Sequence, residues 1–316
     1  MTEGKILVIG AGGYLGAHLS LYLARQNYQV TAFCHHPRND VQEWNSAMAQ
    51  ILYGDITSPE TRQKLAKDAY DYVIYLISLN HFDSEQAPEP VCQTNVLPLW
   101  EMTTLMKGKV KKFVYFSTQQ VYGRPATDII SEDLIPQPVN HYGLTHLLCE
   151  DIIRYQNQQS ATRFINVRLS NGYGAPVFQD NNCWWLVIND LCRSAAREKC
   201  IRLQSDGSPQ RDFIHVQDIA RAIALLLHTE ESTDTYNLSS GQSYTIGEIA
   251  LFVQEIYQEI TKKQIPVYLP EGKSLVTKPQ HRILVDNQRI KSLGFIPQNN
   301  IRTGILSIFN VLLFNQ

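Results

Sequence analysis

Along this chain, short runs of β-branched and aromatic residues alternate with longer segments whose apolar positions recur every three or four residues. "KILVIG" (Lys5 to Gly10), "QVTAFC", "YVIYLIS" (Tyr72 to Ser78), "KFVYFS" (Lys112 to Ser117) and "RFINVRLS" (Arg163 to Ser170) read as buried strands. Between the first two, "YLGAHLSLYLARQNY" carries apolar residues at Leu15, Leu19, Tyr22 and Leu23, the spacing of a helix face. Strands separated by helix-length segments predict an α/β fold, a doubly wound parallel sheet covered by helices on both faces.

After Asn171 the pattern loosens into a loop containing Pro176 and an Asp-Asn-Asn cluster, and then a helical stretch, "CWWLVINDLCRSAARE", begins. "VQDIARAIALLLH" and "TIGEIALFVQEIYQEI" read as two further amphipathic helices. The expected division is a nucleotide-binding domain over 1–170, also receiving roughly 212–240, and a smaller C-terminal α/β substrate lobe over 171–211 and 241–316.

Composition narrows the field. The 316 residues are 44% hydrophobic and 18% charged with a formal net charge of −2, enough to bury a large core. There is no basic run for a nucleic acid or an anionic membrane. The N-terminus lacks a secretory apolar segment, and no apolar run approaches the roughly 18 residues of a membrane span. The six cysteines are scattered without a CxxC pair, which argues against zinc and against a disulfide framework. A soluble, cytoplasmic protein without a metal is expected.

"GAGGYLG" places Gly10, Gly13 and Gly16 after the first strand and at the start of a helix, with Tyr14 and Leu15 inside the loop. Glycines there let the backbone approach a pyrophosphate that the helix N-terminus stabilises, so NAD or NADP is expected. An NAD site would carry an acid at the end of the second strand, but this one reads "FCHHPRND". His35 and Arg38 tilt the expectation slightly toward NADP, with Asp40 as the alternative acid. In "GDIT", Asp55 is placed to accept from an adenine amino group, beside Ile56.

"FSTQQVYG" and "HYGLTHLLCE" complete a set that includes "QTNVLPLWEM", "RLSNGYGAP", "GSPQRDFIHVQDIARAI", "YNLSSGQSYTIGEIA" and "HRILVDNQRIKSLGF". In these motifs and their order the chain resembles an extended short-chain dehydrogenase/reductase of the nucleotide-sugar epimerase/dehydratase family, over nearly its whole length. The resemblance implies a Rossmann domain and a role in carbohydrate biosynthesis. It also implies Thr118 polarising a substrate oxygen, Tyr142 as acid/base, and Asn95 steadying the active-site helix. Asn171, Arg211 and Arg282 match positions that hold a nucleotide diphosphate, Gln119 is expected beside the sugar, and Trp184 and Trp185 are expected near the sugar or base, with at least one of the two as a core aromatic. The family's pairing through two helices implies a homodimer joined by "NVLPLWEMTTLMK" and "YGLTHLLCEDIIRYQ", with Leu99, Met102, Leu148 and Ile152 as surplus apolar residues.

Two departures matter. The acidic pair that performs elimination in the family's dehydratases is replaced by Gln119 and Gln120, and an amide cannot move a proton at neutral pH. That leaves epimerisation or 4-ketoreduction. The lysine four residues after the tyrosine is replaced by His146, whose reference pKa near 6.5 leaves it mostly uncharged. A working enzyme with this exchange, a non-redox use of a bound sugar nucleotide, and a binding protein that has lost chemistry all remain open. So does the same fold acting on a non-nucleotide alcohol or ketone. His215 is assigned to structure.

Overall fold

Seven apolar runs form one parallel sheet: β1 (Lys5–Ile9), β2 (Gln29–Cys34), β3 (Gln50–Tyr53), β4 (Tyr72–Tyr75), β5 (Lys112–Thr118), β6 (Arg163–Leu169) and β7 (Thr235–Leu238). The computed structural model describes residues 2–38, 41–85, 87–230, 233–279 and 281–314. The strand order is β7-β6-β5-β4-β1-β2-β3, and every neighbouring pair is parallel. β2 and β3 are laid to one side of β1 and the later strands to the other, so a crevice opens beyond the carboxyl ends of β1 and β4.

Because side chains alternate across a strand, these sequences must be covered twice. Ile6, Val8, Ile74, Val114 and Ile165 face a core that also holds residues of the helices Tyr14–Arg25 and Val216–His228. Leu7, Ile9, Val73, Tyr75, Phe113 and Tyr115 face the opposite core, with residues of the helices Leu97–Met106 and His141–Asn157.

A third core joins the helices Val187–Glu198, Ile246–Thr261 and Ile301–Phe314 through residues such as Ile188, Val253 and Ile305. Three short strands, Asn171–Tyr173, Gln210–His215 and Ser243–Thr245, link it to the main sheet. Among the described residues no helix is long and apolar enough to cross a membrane, and no group of three or more His, Cys, Asp or Glu is placed to hold a metal ion.

The chain divides less cleanly than the boundaries 1–170 and 241–316 suggest. Leu284–Val285 pairs with Ile129–Ile130, and Ile290 and Phe295 join the first core. Two elements also start or end differently. β4 stops at Tyr75, and Leu76 and Ser78 turn toward the crevice. The second-lobe helix begins at Val187 rather than Cys183, because the preceding residues form a turn in which the Asn181 side chain donates to the Gly12 carbonyl at 3.0 Å. Leu99 and Met102 are fully buried in the core, so they are not surplus apolar surface.

Candidate functional site

The helix His141–Asn157 is fastened from three directions. At its start the Asn140 side chain accepts from the Gly143 backbone at 2.7 Å and donates to Gln120 Oε1 at 2.9 Å. A Cβ at Gly143 would lie 2.7 Å from the Gln120 carbonyl, so glycine permits the helix to meet the turn after β5. Asn95 accepts from Leu79 N at 2.7 Å and donates to Thr145 at 3.1 Å, which ties the helix to the loop after β4. Further along, buried Glu150 accepts from Arg168 Nη2 of β6 at 2.7 Å and from Ser117 of β5 at 2.6 Å.

This fastening sets Tyr142 and His146 against a cavity of about 330 Å³ at the crevice between β1 and β4. Gly10, Gly13, Tyr14, Leu15, Gly16, Thr118, Gln119 and Asn171 also line it. The loop fits a dinucleotide on three grounds. Gly10 has φ of +93°, and a Cβ on Gly16 would come within 2.1 Å of the Gly10 carbonyl, so only glycines allow this turn. No side chain caps the helix that starts at Tyr14, which leaves its first N–H groups for a pyrophosphate. His146 Nε2, buried and without a partner, suits a ribose hydroxyl.

The electrostatics are unusual for such a site. Among the described residues lining the cavity there is no Asp, Glu, Lys or Arg. His146 is enclosed, with Nδ1 2.6 Å from the Tyr115 hydroxyl, and burial holds its imidazole down at about 3, neutral at any physiological pH. Tyr142 lies edge-on to it, ring centroids 4.5 Å apart. Burial raises the Tyr142 phenol above its ordinary value, while hydrogen bonding with Ser78 and Thr118 pulls in the opposite direction. The site therefore holds a protonated phenol beside a neutral imidazole.

Other expected residues lie elsewhere. His35 faces the Gly54 carbonyl at 3.3 Å in an exposed position, and Asp55 accepts from Thr57 N at 2.8 Å, which lowers its carboxyl pKa. Ile56 is packed in the core with its carbonyl accepting from buried Arg62. Arg38 is paired with Asp180 and stacked over Phe178, and Asp40 lies outside the described residues. Arg211 and Arg282 line no part of this cavity. Arg282 is paired with Glu248 at 2.6 Å, while the Arg211 side chain donates to the Gln210 carbonyl. The neighbouring carboxylates Asp212 and Asp218 are taken up by Ser170, Ser240, Arg221 and backbone amides.

Trp184 packs against the third core, and its neighbour Trp185 is the one that lines the cavity, with Phe82 edge-on at 5.9 Å. One of the two adjacent tryptophans is thus a core aromatic and the other faces the cavity, because the turn before Val187 directs consecutive side chains apart. His215 accepts from Gln217 N as a helix cap. Ser78 was not singled out from sequence, although a hydroxyl ending "YVIYLIS" at a central strand was the available signal.

The family described as NAD dependent epimerase/dehydratase matches residues 6–239. The chain is 28% identical over 321 residues to a GDP-6-deoxy-D-mannose reductase of Pseudomonas aeruginosa, covering 98% of this chain and 97% of that one. It is 25% identical over 316 residues to a UDP-glucose 4-epimerase of Corynebacterium glutamicum, covering 95% and 93%. Its fold is shared by the UDP-glucuronic acid 4-epimerase of Bacillus cereus, solved with UDP-glucuronic acid and NAD, at a TM-score of 0.78, 22% identity and 98% coverage of both chains.

Histidines held neutral by desolvation make stability depend on pH. Burial holds His146 at about 3 and His18 at about 4, whereas an unfolded histidine takes a proton near 6.5. Below that value the unfolded state binds more protons, so stability falls as pH drops through 6.5 toward 4, by at most about 1.4 kcal/mol per pH unit per histidine. Denaturant unfolding at several pH values should show this slope, and His146→Gln should reduce it. A slope unchanged in His146→Gln would contradict the buried neutral imidazole.

Proposed function

The chain belongs to the NAD-dependent epimerase/dehydratase family of enzymes, and from that premise we propose that it acts on a nucleotide sugar as a 4-epimerase or 4-ketoreductase. One observation carries this: the hydroxyls of Tyr142, Thr118 and Ser78 meet beside the glycine loop at the switch point of the sheet. Bound NAD would supply the hydride acceptor or donor. Tyr142 takes or gives the proton of the sugar hydroxyl, and Thr118 and Ser78 hold the reacting oxygen. His146 donates from Nε2 to the ribose. Elimination has no acid to perform it among the described residues, since Gln119 and Gln120 are amides and the described lining carries no carboxylate.

Of the two reactions, reduction is favoured. A phenol held protonated is ready to deliver a proton to a developing alkoxide, whereas abstraction first requires the phenolate. The same neutrality supports slow turnover as the second reading. For the cofactor we take NAD, because Arg38, the cation that tilted the sequence toward NADP, is already held by Asp180. Asn171 at the cavity wall leads along the short sheet to Arg211, whose guanidinium we assign to the diphosphate. Arg282 must release Glu248 to join it.

A panel of UDP-, GDP- and dTDP-sugars and their 4-keto forms, followed by NMR of the products with NAD or NADH, tests the proposal. Inversion or reduction at C4 is expected. Tyr142→Phe should lower turnover by about 10²- to 10⁴-fold while NAD binding stays nearly intact. A product of C5/C6 elimination, or turnover confined to alcohols without a nucleotide, would contradict it.

We also assign a homodimer to the helices Leu97–Met106 and His141–Asn157. Their outer faces expose Trp100 at 51%, Tyr155 at 52%, Leu97 at 46%, Leu144 at 46% and Leu148 at 41%, an apolar surface that a second copy would cover. Sedimentation at micromolar concentration should give the mass of two chains, and Trp100→Glu should give one. A wild-type monomer would overturn the assignment.

A further inference from the structure

Tyr115 has no role in the chemistry above, yet it lies under the site. It is the fourth residue of β5, points into the core and is 2% exposed, with its hydroxyl 2.6 Å from His146 Nδ1 and its ring stacked on the imidazole at 5.7 Å. We infer that Tyr115 is a positioning residue: its hydroxyl donates to Nδ1, which fixes the proton of His146 on Nε2 and aims a neutral N–H donor into the cavity. The inference rests on the reading of that cavity as a dinucleotide site.

The proton can be placed by counting donors and acceptors. A buried phenol gains by donating its proton wherever an acceptor is in reach. Among the described residues the hydroxyl has two partners, His146 Nδ1 and the Cys149 thiol. Cys149 Sγ points its own proton at the Asn95 carbonyl at 3.3 Å, and a thiol sulfur is a weak acceptor. An imidazole nitrogen is much the better one. With Nδ1 accepting, the neutral ring carries its hydrogen on Nε2, the buried atom that has no partner in the protein.

An N–H left unpaired in a cavity wall is unfavourable until an acceptor arrives, and a ribose hydroxyl supplies one. A free histidine at this place would exchange tautomers and titrate near neutrality. This one is shielded from both. The titratable groups facing the pair are Tyr142, Cys149 and Glu150 of its own helix and Tyr75 of β4, and Glu150 is neutralised by Arg168. Among the described residues no cation and no unpaired carboxylate faces the pair. The tyrosine–histidine pair is thus a neutral donor that works without the charge of a lysine.

The test reads the tautomer directly, in cofactor-free protein labelled with ¹⁵N-histidine, using His146→Gln to identify the signal. The inference requires an unprotonated Nδ1 and a protonated Nε2, unchanged between about pH 5.5 and 8. Tyr115→Phe keeps the ring but removes the donor. It should yield mixed tautomers and bind NAD about tenfold more weakly, the loss expected for one misplaced hydrogen bond. A wild-type proton on Nδ1, an imidazole titrating near 6.5, or a Tyr115→Phe protein with unchanged tautomer and NAD affinity would each overturn the inference. If the wild type shows the Nε2–H form but binds no NAD, the tautomer assignment stands and the dinucleotide reading falls.

Discussion

Everything at this site hangs on the buried ion pair between Glu150 and Arg168. Tyr142, His146 and Glu150 follow one another at four-residue intervals, so they share one face of their helix. The carboxylate takes Arg168 at two atoms and Ser117 at a third contact, which joins that face to β5 and β6. Removing one partner of such a pair leaves an uncompensated buried charge, typically a loss of about 3–5 kcal/mol. The pair therefore sets the rotation of the helix, and the rotation decides that Tyr142 meets Thr118 and that His146 meets Tyr115.

The ion pair lies below the cavity, and among the described residues the cavity lining carries no charged side chain. This separation explains the electrostatic character of the site. Charge is confined to a fully compensated layer between helix and sheet, while the surface offered to a ligand consists of hydroxyls, amides, apolar groups and one neutral imidazole. Without a nearby cation, burial dominates the phenol of Tyr142 and keeps it protonated. Proton delivery is then easier than proton abstraction. On the proposed reading, the charged lysine donor that the family resemblance implies has been exchanged for His146. Its place is taken by a tyrosine–histidine pair that donates without titrating.

What could be read in the sequence was whatever depends on neighbours along the chain. The apolar runs of β1, β2, β5 and β6 and the helix after "GAGGYLG" were legible because their periodicity is local. So was the spacing that puts Tyr142 and His146 on one face. Contacts between distant segments were not legible. Arg38 looked like a free cation, yet Asp180 holds it from 142 residues away. Arg282 is claimed by Glu248 in the same manner. Trp184 and Trp185 are indistinguishable as letters, and only the turn made by Asn181 on Gly12 decides which reaches the cavity. The depth at which His146 sits, and hence its neutrality, depends on how its helix packs on the sheet, which the sequence does not spell out.

The central claim is that a neutral His146 leaves Tyr142 protonated at physiological pH. The pH dependence of sugar oxidation, compared between the wild type and His146→Lys, tests it most directly. Oxidation needs the phenolate, so the wild-type rate should keep rising with pH well above neutrality. A lysine cation four residues along the same face should move that rising limb down by about one to three units. A wild-type limb centred near 6.5, or a limb that does not move in His146→Lys, would contradict the account.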